Sequence, residues 1–462
     1  MRVATRTVLF VAALALAAGA PAADTPQGFV ELFKAATEAH GAKDYARMER
    51  LLRDALALRP GHPTAQYNLA AALALRGEKG DALDALGSLA RMGLSFDPAS
   101  DPDFAALREG FRFGLLKQDF SRNRKAVGDA DVSFTVPAAS FIPEGIAYDG
   151  DTRSFFLGSV HERRILRIRR DGKQDNFAAD GPLWAVLGMT ADVSRRRLWV
   201  ATAAIPEMKN AAPDELGRTA ILAYDLDSGE LKQKHPLPQD GRKHVFGDLI
   251  VARSGAVYAT DSGGGGLYAL DPATGNFTLL TAPGELTSPQ GLALARDRRT
   301  LYVADYTQGL FRYDLDKRAL KRMEVARDIC VYGIDGLYRF DDDLVAVQNG
   351  VRPHRAVRFE LDRAGRRVRH AQVLAANLRE FDEPTLGVVV GKRFHFVANS
   401  QWNKFGKDHA LPPAEQLRGP IVLEVALDRR DPRRDEPRRG PAQPQQQPAP
   451  LELPPVGLPP IR

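Results

Sequence analysis

Apolar and polar residues alternate in short runs through the second two-thirds of the chain, and turn residues separate the runs. A turn followed by two β-patterned runs recurs about every 45 residues, which is the period of a four-stranded propeller blade. The six copies of the first run begin near Pro143, Leu187, Phe246, Pro289, Ile334 and Pro384. The pattern therefore predicts a mainly β protein, a six-bladed β-propeller over residues 131–428.

Two further β-patterned pieces, residues 132–136 and 421–427, lie outside the six pairs of runs. We expect one of them to complete the last blade from the other end of the chain, because this would close the ring and remove its open edge. One interval between copies is longer than the others. A polar insertion at residues 206–213, which contains two prolines, explains it as a loop.

Residues 26–120 follow a different pattern, in which apolar residues recur at helical spacing. Gly41 and Gly77 stand where helices are expected to break. The stretch from Tyr67 to Leu86 resembles a tetratricopeptide repeat, so we expect a small α-helical tetratricopeptide-like domain before the propeller. Such repeats bury their faces on neighbours. The helices could therefore dock a protein partner or pack against the propeller, and the sequence leaves both open.

The two ends of the chain have their own compositions. Residues 1–23 carry two arginines, an apolar core and a run of small residues, which together predict a cleaved signal peptide. We therefore expect a bacterial periplasmic or secreted protein with no transmembrane segment in the mature chain. Residues 429–462 are rich in Pro, Arg and Gln and are predicted to be disordered. The single cysteine, Cys330, excludes an intramolecular disulfide.

The formal net charge of +6 is carried mostly by these two ends. The folded part is close to neutral. The charge therefore gives no reason to expect nucleic acid as a partner.

Oxygen-bearing side chains recur where each pair of strands begins and ends. Because the second strand returns antiparallel to the first, both sets are expected at one mouth of the channel. The candidates are Glu144, Asp248, Gln290, Asp335 and Thr385 from the first strands, and Ser159, Asp261, Asp305, Asn349 and Asn399 from the second. Hard oxygen ligands suit Ca²⁺, Mg²⁺ or Mn²⁺. The same residue types also close turns by local hydrogen bonds, and that alternative stays open for each one.

The steps Pro143-Glu144-Gly145, Pro289-Gln290-Gly291 and Ile334-Asp335-Gly336 resemble those of the senescence marker protein (regucalcin)/gluconolactonase propellers and their strictosidine-synthase-like relatives. The resemblance implies one divalent cation held by Glu144, Gln290 and Asp335, with Asp335 also acting as the base in lactone hydrolysis. Gln290 stands where the family has Asn.

Two functions follow from these observations. The first is a metal-dependent lactonase acting on a small substrate such as a sugar lactone. The second is a non-enzymatic propeller that binds a ligand or a protein, with the helices as an adaptor, and the departure at Gln290 favours it. The lactonase hypothesis requires that Glu144, Gln290 and Asp335 converge at one mouth of the channel.

Overall fold

The computed structural model describes residues 26–179, 181 and 183–428. The predicted signal peptide and the predicted disordered tail lie outside the described residues. The described residues up to Leu427 form one compact unit that contains both the helices and the propeller. Within the described residues, no helix is long and apolar enough to cross a membrane.

The helical region contains five α-helices. They are α1 (Pro26–Gly41), α2 (Tyr45–Leu58), α3 (Pro63–Leu75), α4 (Lys79–Arg91) and α5 (Phe111–Asn123), with a 3-10 helix at Pro102–Leu107 before α5. Side-chain caps begin two of them: Asp44 accepts a hydrogen bond from the Arg47 N–H, and His62 accepts one from the Ala65 N–H. The helices are therefore present, while their assignment as tetratricopeptide repeats stays a prediction.

Within the described residues, twenty-five strands form six sheets arranged as the six predicted blades. Blade 1 contains β2 (Pro143–Asp149), β3 (Ser154–Ser159), β4 (Arg164–Ile168) and β5 (Gln174–Ala179). Blade 2 contains β6 (Ala185–Asp192), β7 (Arg197–Ala203), β8 (Thr219–Asp225) and β9 (Leu231–Pro236). Blade 3 contains β10 (Phe246–Val251), β11 (Val257–Asp261), β12 (Gly266–Asp271) and β13 (Asn276–Leu279). Blade 4 contains β14 (Pro289–Leu294), β15 (Thr300–Asp305), β16 (Gly309–Asp314) and β17 (Ala319–Arg322).

Blade 5 has an extra strand and blade 6 closes the ring. Blade 5 contains β19 (Ile334–Phe340), β20 (Asp343–Gln348), β21 (Arg355–Leu361), β22 (Arg367–Ala376) and the short β18 (Glu324–Val325), which pairs parallel to β22. Blade 6 contains β23 (Gly387–Val390), β24 (Arg393–Val397), β25 (Ile421–Ala426) and, outermost, β1 (Asp131–Thr135). Both extra β-patterned pieces thus belong to the last blade, and the expected closure is confirmed.

The first strand of each blade lies at the centre of the ring. The strands β2, β6, β10, β14, β19 and β23 contact one another in this order, and β23 contacts β2 again. These inner strands therefore surround the axis, and the residues at their starts lie at one end of it.

The helices pack directly against blades 4 and 5, and the two regions share one hydrophobic core. The Tyr332 hydroxyl donates to the Pro60 carbonyl at 3.0 Å, and the buried Arg355 guanidinium donates to the Met92 carbonyl at 2.8 Å. Of the two uses left open for the helices, packing against the propeller is therefore observed, while docking of a protein partner stays a prediction.

Candidate functional site

A bulge at the start of the inner strands sets which side chains reach the channel mouth. In blades 1, 3, 4 and 5, the inner strand gains one residue relative to its partner strand just after its first pair, and in blade 2 it does so after its second pair. The residue that follows the pair before the bulge is Glu144, Leu187, Gly247, Gln290 or Asp335 in blades 1 to 5. The pairing thus places Gly247 at the level expected for Asp248, which lies one residue further along β10.

Glu144 is one of the buried carboxyls at this mouth, with 8% of its surface exposed. The indole Nε1–H of Trp402 donates to its Oε2 at 2.7 Å. Burial and the nearby charge of Asp335 raise the pKa of Glu144 well above its usual value. The Thr385 hydroxyl lies close enough to lower that pKa, although its geometry falls short of a hydrogen bond.

Asp335 faces the same environment from blade 5. Asn349 Nδ2 donates to its Oδ2 at 2.6 Å. Burial raises the pKa of Asp335 to about 7 although this hydrogen bond lowers it, and the charge of Glu383 raises it further. Glu383 also raises the pKa of Glu144, so the three carboxyls lie within electrostatic reach of one another. A group of carboxyls in this setting favours either a proton or a cation.

Asp248 belongs to the same acidic cluster despite its different position on the strand. It is buried and accepts the Leu249 N–H at 2.8 Å. Burial raises its pKa to about 8, and the charge of Asp335 adds to the effect. Asp248 Oδ1 lies beside Gly188, where an added Cβ would come within 2.6 Å of it.

The amide of Gln290 turns toward blade 3. Its Nε2 donates to Ser288 Oγ at 3.2 Å, and its Oε1 lies 3.2 Å from the point where a Cβ on Gly247 would stand. Gln290 thus fills space that Gly247 leaves free. Its predicted role as a cation ligand stays a prediction.

Most of the second-strand candidates hold loops. Asp261 accepts from the Val245 N–H at 2.9 Å and contacts the His244 ring at 2.5 Å. Asp305 accepts from four backbone N–H groups, those of Thr287, Ser288, Thr307 and Gln308. Ser159 bonds to the Phe141 carbonyl, and Asn399 bonds to Gly419 and Ile421. For these four residues, the turn interpretation accounts for the hydrogen bonds of the side chains.

Asn349 is the exception, and the strand register explains it. Ser159, Asp261 and Asp305 pair with the first residues of their inner strands, but in blade 5 that position belongs to Gln348. The buried amide of Gln348 bonds to the Cys330 and Tyr332 carbonyls, so it takes the loop-holding role. Asn349, one residue later, is free to turn to Asp335. Its Oδ1 is buried without a hydrogen-bond partner in the described part of the chain.

Several residues of this mouth were missed by the sequence analysis. Tyr338 lies in β19, where burial and the charges of Asp248, Asp335 and Glu144 raise the pKa of its hydroxyl; that hydroxyl accepts the Gly387 N–H at 2.7 Å. A tyrosine in a strand is indistinguishable from core by pattern. Trp402 lies in a loop outside the repeat. Glu383 directly precedes the sixth copy of the repeat, which begins at Pro384, and this position is the one sequence signal that could have identified it.

The family described as SMP-30/Gluconolactonase/LRE-like region matches residues 142–378, which is more than half of the chain. The chain belongs to this family. The match spans the first five blades and therefore includes Glu144, Gln290 and Asp335. A comparison with curated proteins gave no match.

Solved structures similar to this propeller include a gluconolactonase and a regucalcin. A gluconolactonase from Xanthomonas campestris is 19% identical, with a TM-score of 0.45, over 65% of this chain and 91% of that chain. Regucalcin from Agrobacterium tumefaciens, a calcium-binding protein, is 17% identical, with a TM-score of 0.47, over 65% of this chain and 95% of that chain. At these identities and scores, neither similarity carries information about activity.

The candidate ligand atoms at this mouth are of chemical types that suit a divalent cation. Carboxylates from Glu144 and Asp335 and the unpaired amide oxygen of Asn349 are hard oxygen ligands. Among the described residues, no three His, Cys, Asp or Glu side chains form a group that could hold a metal ion. An amide oxygen, from Asn349 or Gln290, is therefore needed to complete a set built on Glu144 and Asp335.

Proposed function

We propose that this protein is a divalent-cation-dependent hydrolase that opens a lactone ring at the channel mouth of the propeller. The observation that carries the proposal is Asp335, a carboxyl at the channel mouth that is fixed by Asn349 and lies within electrostatic reach of Glu144. A general base works best when its pKa lies near the operating pH. Burial raises the pKa of Asp335 toward that range.

The residues of the mouth divide the chemistry between them. Asn349 holds Oδ2 of Asp335, which leaves Oδ1 to accept a proton from an attacking water. The oxygen of that water bonds to the lactone carbonyl carbon, the ring C–O bond breaks, and the ring oxygen takes up a proton. The product is a hydroxy acid.

Glu144, Asp335 and an amide oxygen of Asn349 or Gln290 would hold the cation. When bound, a Ca²⁺, Mg²⁺ or Mn²⁺ ion would polarise the carbonyl group of the substrate. We also propose, from the predicted signal peptide, that the protein works in the periplasm or outside the cell.

A second candidate is a propeller that binds a ligand without chemistry. The contacts of Gln290 favour it, because its Nε2 is bonded to Ser288 Oγ and its Oε1 lies against Gly247. In that case a saccharide or a protein would occupy the same mouth.

Thermal unfolding and a lactone panel test the proposal on the purified mature protein. A ligand that binds only the native state at 100 times its Kd raises stability by about 2.7 kcal/mol, so millimolar Ca²⁺, Mg²⁺ or Mn²⁺ should raise the Tm. Hydrolysis of at least one sugar lactone should depend on the same ion. A shift in Tm without turnover would favour the binding function. Neither a shift nor turnover would contradict the cation site and the hydrolase together.

A further inference from the structure

The long connection between β24 and β25, residues 398–420, lies against the acidic mouth. Its 3-10 helix at Trp402–Lys404 begins beside the carboxyls, and the Asn403 N–H donates to Glu383 Oε2 at 2.9 Å. The Ser400 hydroxyl donates to the Glu383 carbonyl at 2.7 Å. We call residues 398–420 the mouth loop.

The middle of the mouth loop contacts blade 2. His409 Nδ1 lies 2.7 Å from Glu207 Oε1, in the insertion that follows β7. The ring of Phe405 lies 6.0 Å from the rings of both Trp402 and His161. The mouth loop is thus anchored on both sides of Trp402, so the position of this side chain is set by contacts outside the repeat.

We propose that Trp402 is a positioning residue for the cation site, because its indole N–H fixes the carboxylate of Glu144. This inference rests on the proposed function. The 2.7 Å bond from Nε1 occupies Oε2 and leaves Oε1 available to a cation. An indole has a donor and no acceptor, so it holds a carboxylate without accepting other hydrogen bonds in its place.

The size of the effect follows from the role of outer contacts in metal sites. Ligating carboxylates are themselves hydrogen-bonded, and loss of such a partner typically weakens metal affinity by about 10–100-fold. Glu144 lies among other carboxyls, with Asp335 and Glu383 both acting on it. Without the indole N–H, the carboxylate of Glu144 can rotate. Cation binding must then order it, which lowers the affinity.

A matched pair of substitutions separates this role from simple packing. Trp402→Phe keeps an aromatic ring and removes the N–H. Trp199→Phe makes the same chemical change at a buried indole in blade 2 whose Nε1 has no hydrogen-bond partner in the described part of the chain. If the Trp402 ring only packs, the two substitutions should change cation affinity to a similar extent. If its N–H positions Glu144, only Trp402→Phe should lower cation affinity.

The experiment is a calorimetric Ca²⁺ titration of wild type and both variants, with the Tm of each in the absence of cation. We expect Trp402→Phe to bind Ca²⁺ about 10–100-fold more weakly and Trp199→Phe to bind like wild type. Equal affinities in all three proteins would overturn the inference while leaving the proposed function intact. A wild type that binds no divalent cation would overturn the proposed function, and the inference with it.

A measurement on the unmodified protein covers the case in which Trp402→Phe fails to fold. The chain has three tryptophans, so three indole N–H signals are expected in a ¹H–¹⁵N spectrum of the labelled protein. Addition of Ca²⁺ should shift the signal of Trp402 more than the signals of Trp184 and Trp199. Ca²⁺ binding that moves none of the three signals would contradict the contact between Trp402 and the site.

Discussion

The contact between the inner strands of blades 4 and 5 provides a sharp test of how the ring holds the site. Gly291 lies next to Gln290 and faces the backbone of β19. A Cβ added there would lie 2.7 Å from the Asp335 carbonyl oxygen and 2.7 Å from the Gly336 carbonyl carbon, and closer still to the Leu337 nitrogen. All three are backbone atoms, so no side-chain rotation can relieve the contact.

The cost of Gly291→Ala can be worked from these distances. An ordinary contact is about 3.5 Å, so the Asp335 carbonyl oxygen would have to retreat by about 0.8 Å and the Leu337 nitrogen by more. Overpacking of this kind costs about 1–3 kcal/mol. If the two strands move apart by nearly 1 Å, their facing atoms also lose about a quarter to a half of their van der Waals attraction. We therefore expect the free energy of unfolding to fall by about 2–4 kcal/mol. Because Asp335 is displaced, Ca²⁺ affinity should fall as well.

The assay is urea unfolding of Gly291→Ala beside the control Gly150→Ala. Gly150 lies in the turn between β2 and β3, where an added Cβ meets nothing within 4 Å. The control should be unchanged or more stable by up to about 1 kcal/mol, because alanine restricts the unfolded chain. If both variants unfolded within about 0.5 kcal/mol of each other, the close approach of the two blades would be refuted.

Three further predictions concern charged groups. Asp335→Asn should lower lactone hydrolysis by about 10²–10⁴-fold in steady-state assays and weaken Ca²⁺ binding, while Gln290→Asn should lower neither; equal rates for wild type and Asp335→Asn would contradict the role of this base. His244 is buried, which lowers its pKa, but hydrogen bonds to two aspartates raise it above the usual value overall. The contribution of the charged His244 to stability is therefore complete below about pH 6.5 and is lost as the pH rises through the folded pKa. The difference in unfolding free energy between wild type and His244→Asn should accordingly shrink from pH 6 to pH 9. A difference that stays constant over this range would contradict the prediction. Arg355→Met should lower the free energy of unfolding in urea by about 2–5 kcal/mol, because the buried Gln348 Oε1 and Met92 carbonyl lose their donor. The control Arg352→Ala, at an exposed side chain, should lower it by under about 0.5 kcal/mol. Similar losses for the two variants would contradict the buried contact.

The repeat in the sequence was sufficient to predict the fold. Each blade follows the same local rule of a turn and alternating strands, so six copies at a regular interval determined the number of blades. The closing strand could be predicted only as one of two pieces, because pattern alone does not say which strand pairs with which. The structure uses both pieces in blade 6.

The site was harder to predict because it depends on register. A one-residue bulge decides whether a side chain faces the channel or the neighbouring strand, and the sequence does not mark it. This is why Asp248 was expected where Gly247 stands, and why Gln348 was not recognised as the counterpart of Asp305. Trp402 could not be found from the repeat at all, since it comes from a loop that belongs to no blade pattern.

The strand that closes the ring has a consequence for how the chain is made. β1 leaves the ribosome first, and its partner β25 follows about 290 residues later, which at typical rates of synthesis means a delay of roughly 15–60 s. During that time blades 1 to 5 can form while the ring stays open and presents unpaired strand edges, which are prone to association with other chains. The helices next to β1 finish early, but the surface of blades 4 and 5 that they cover is made much later. A chain that stops between Asp335 and Ile421 would therefore keep the candidate carboxyls Glu144 and Asp335 but lack the strand that joins its two ends, and we expect such fragments to aggregate or to be degraded.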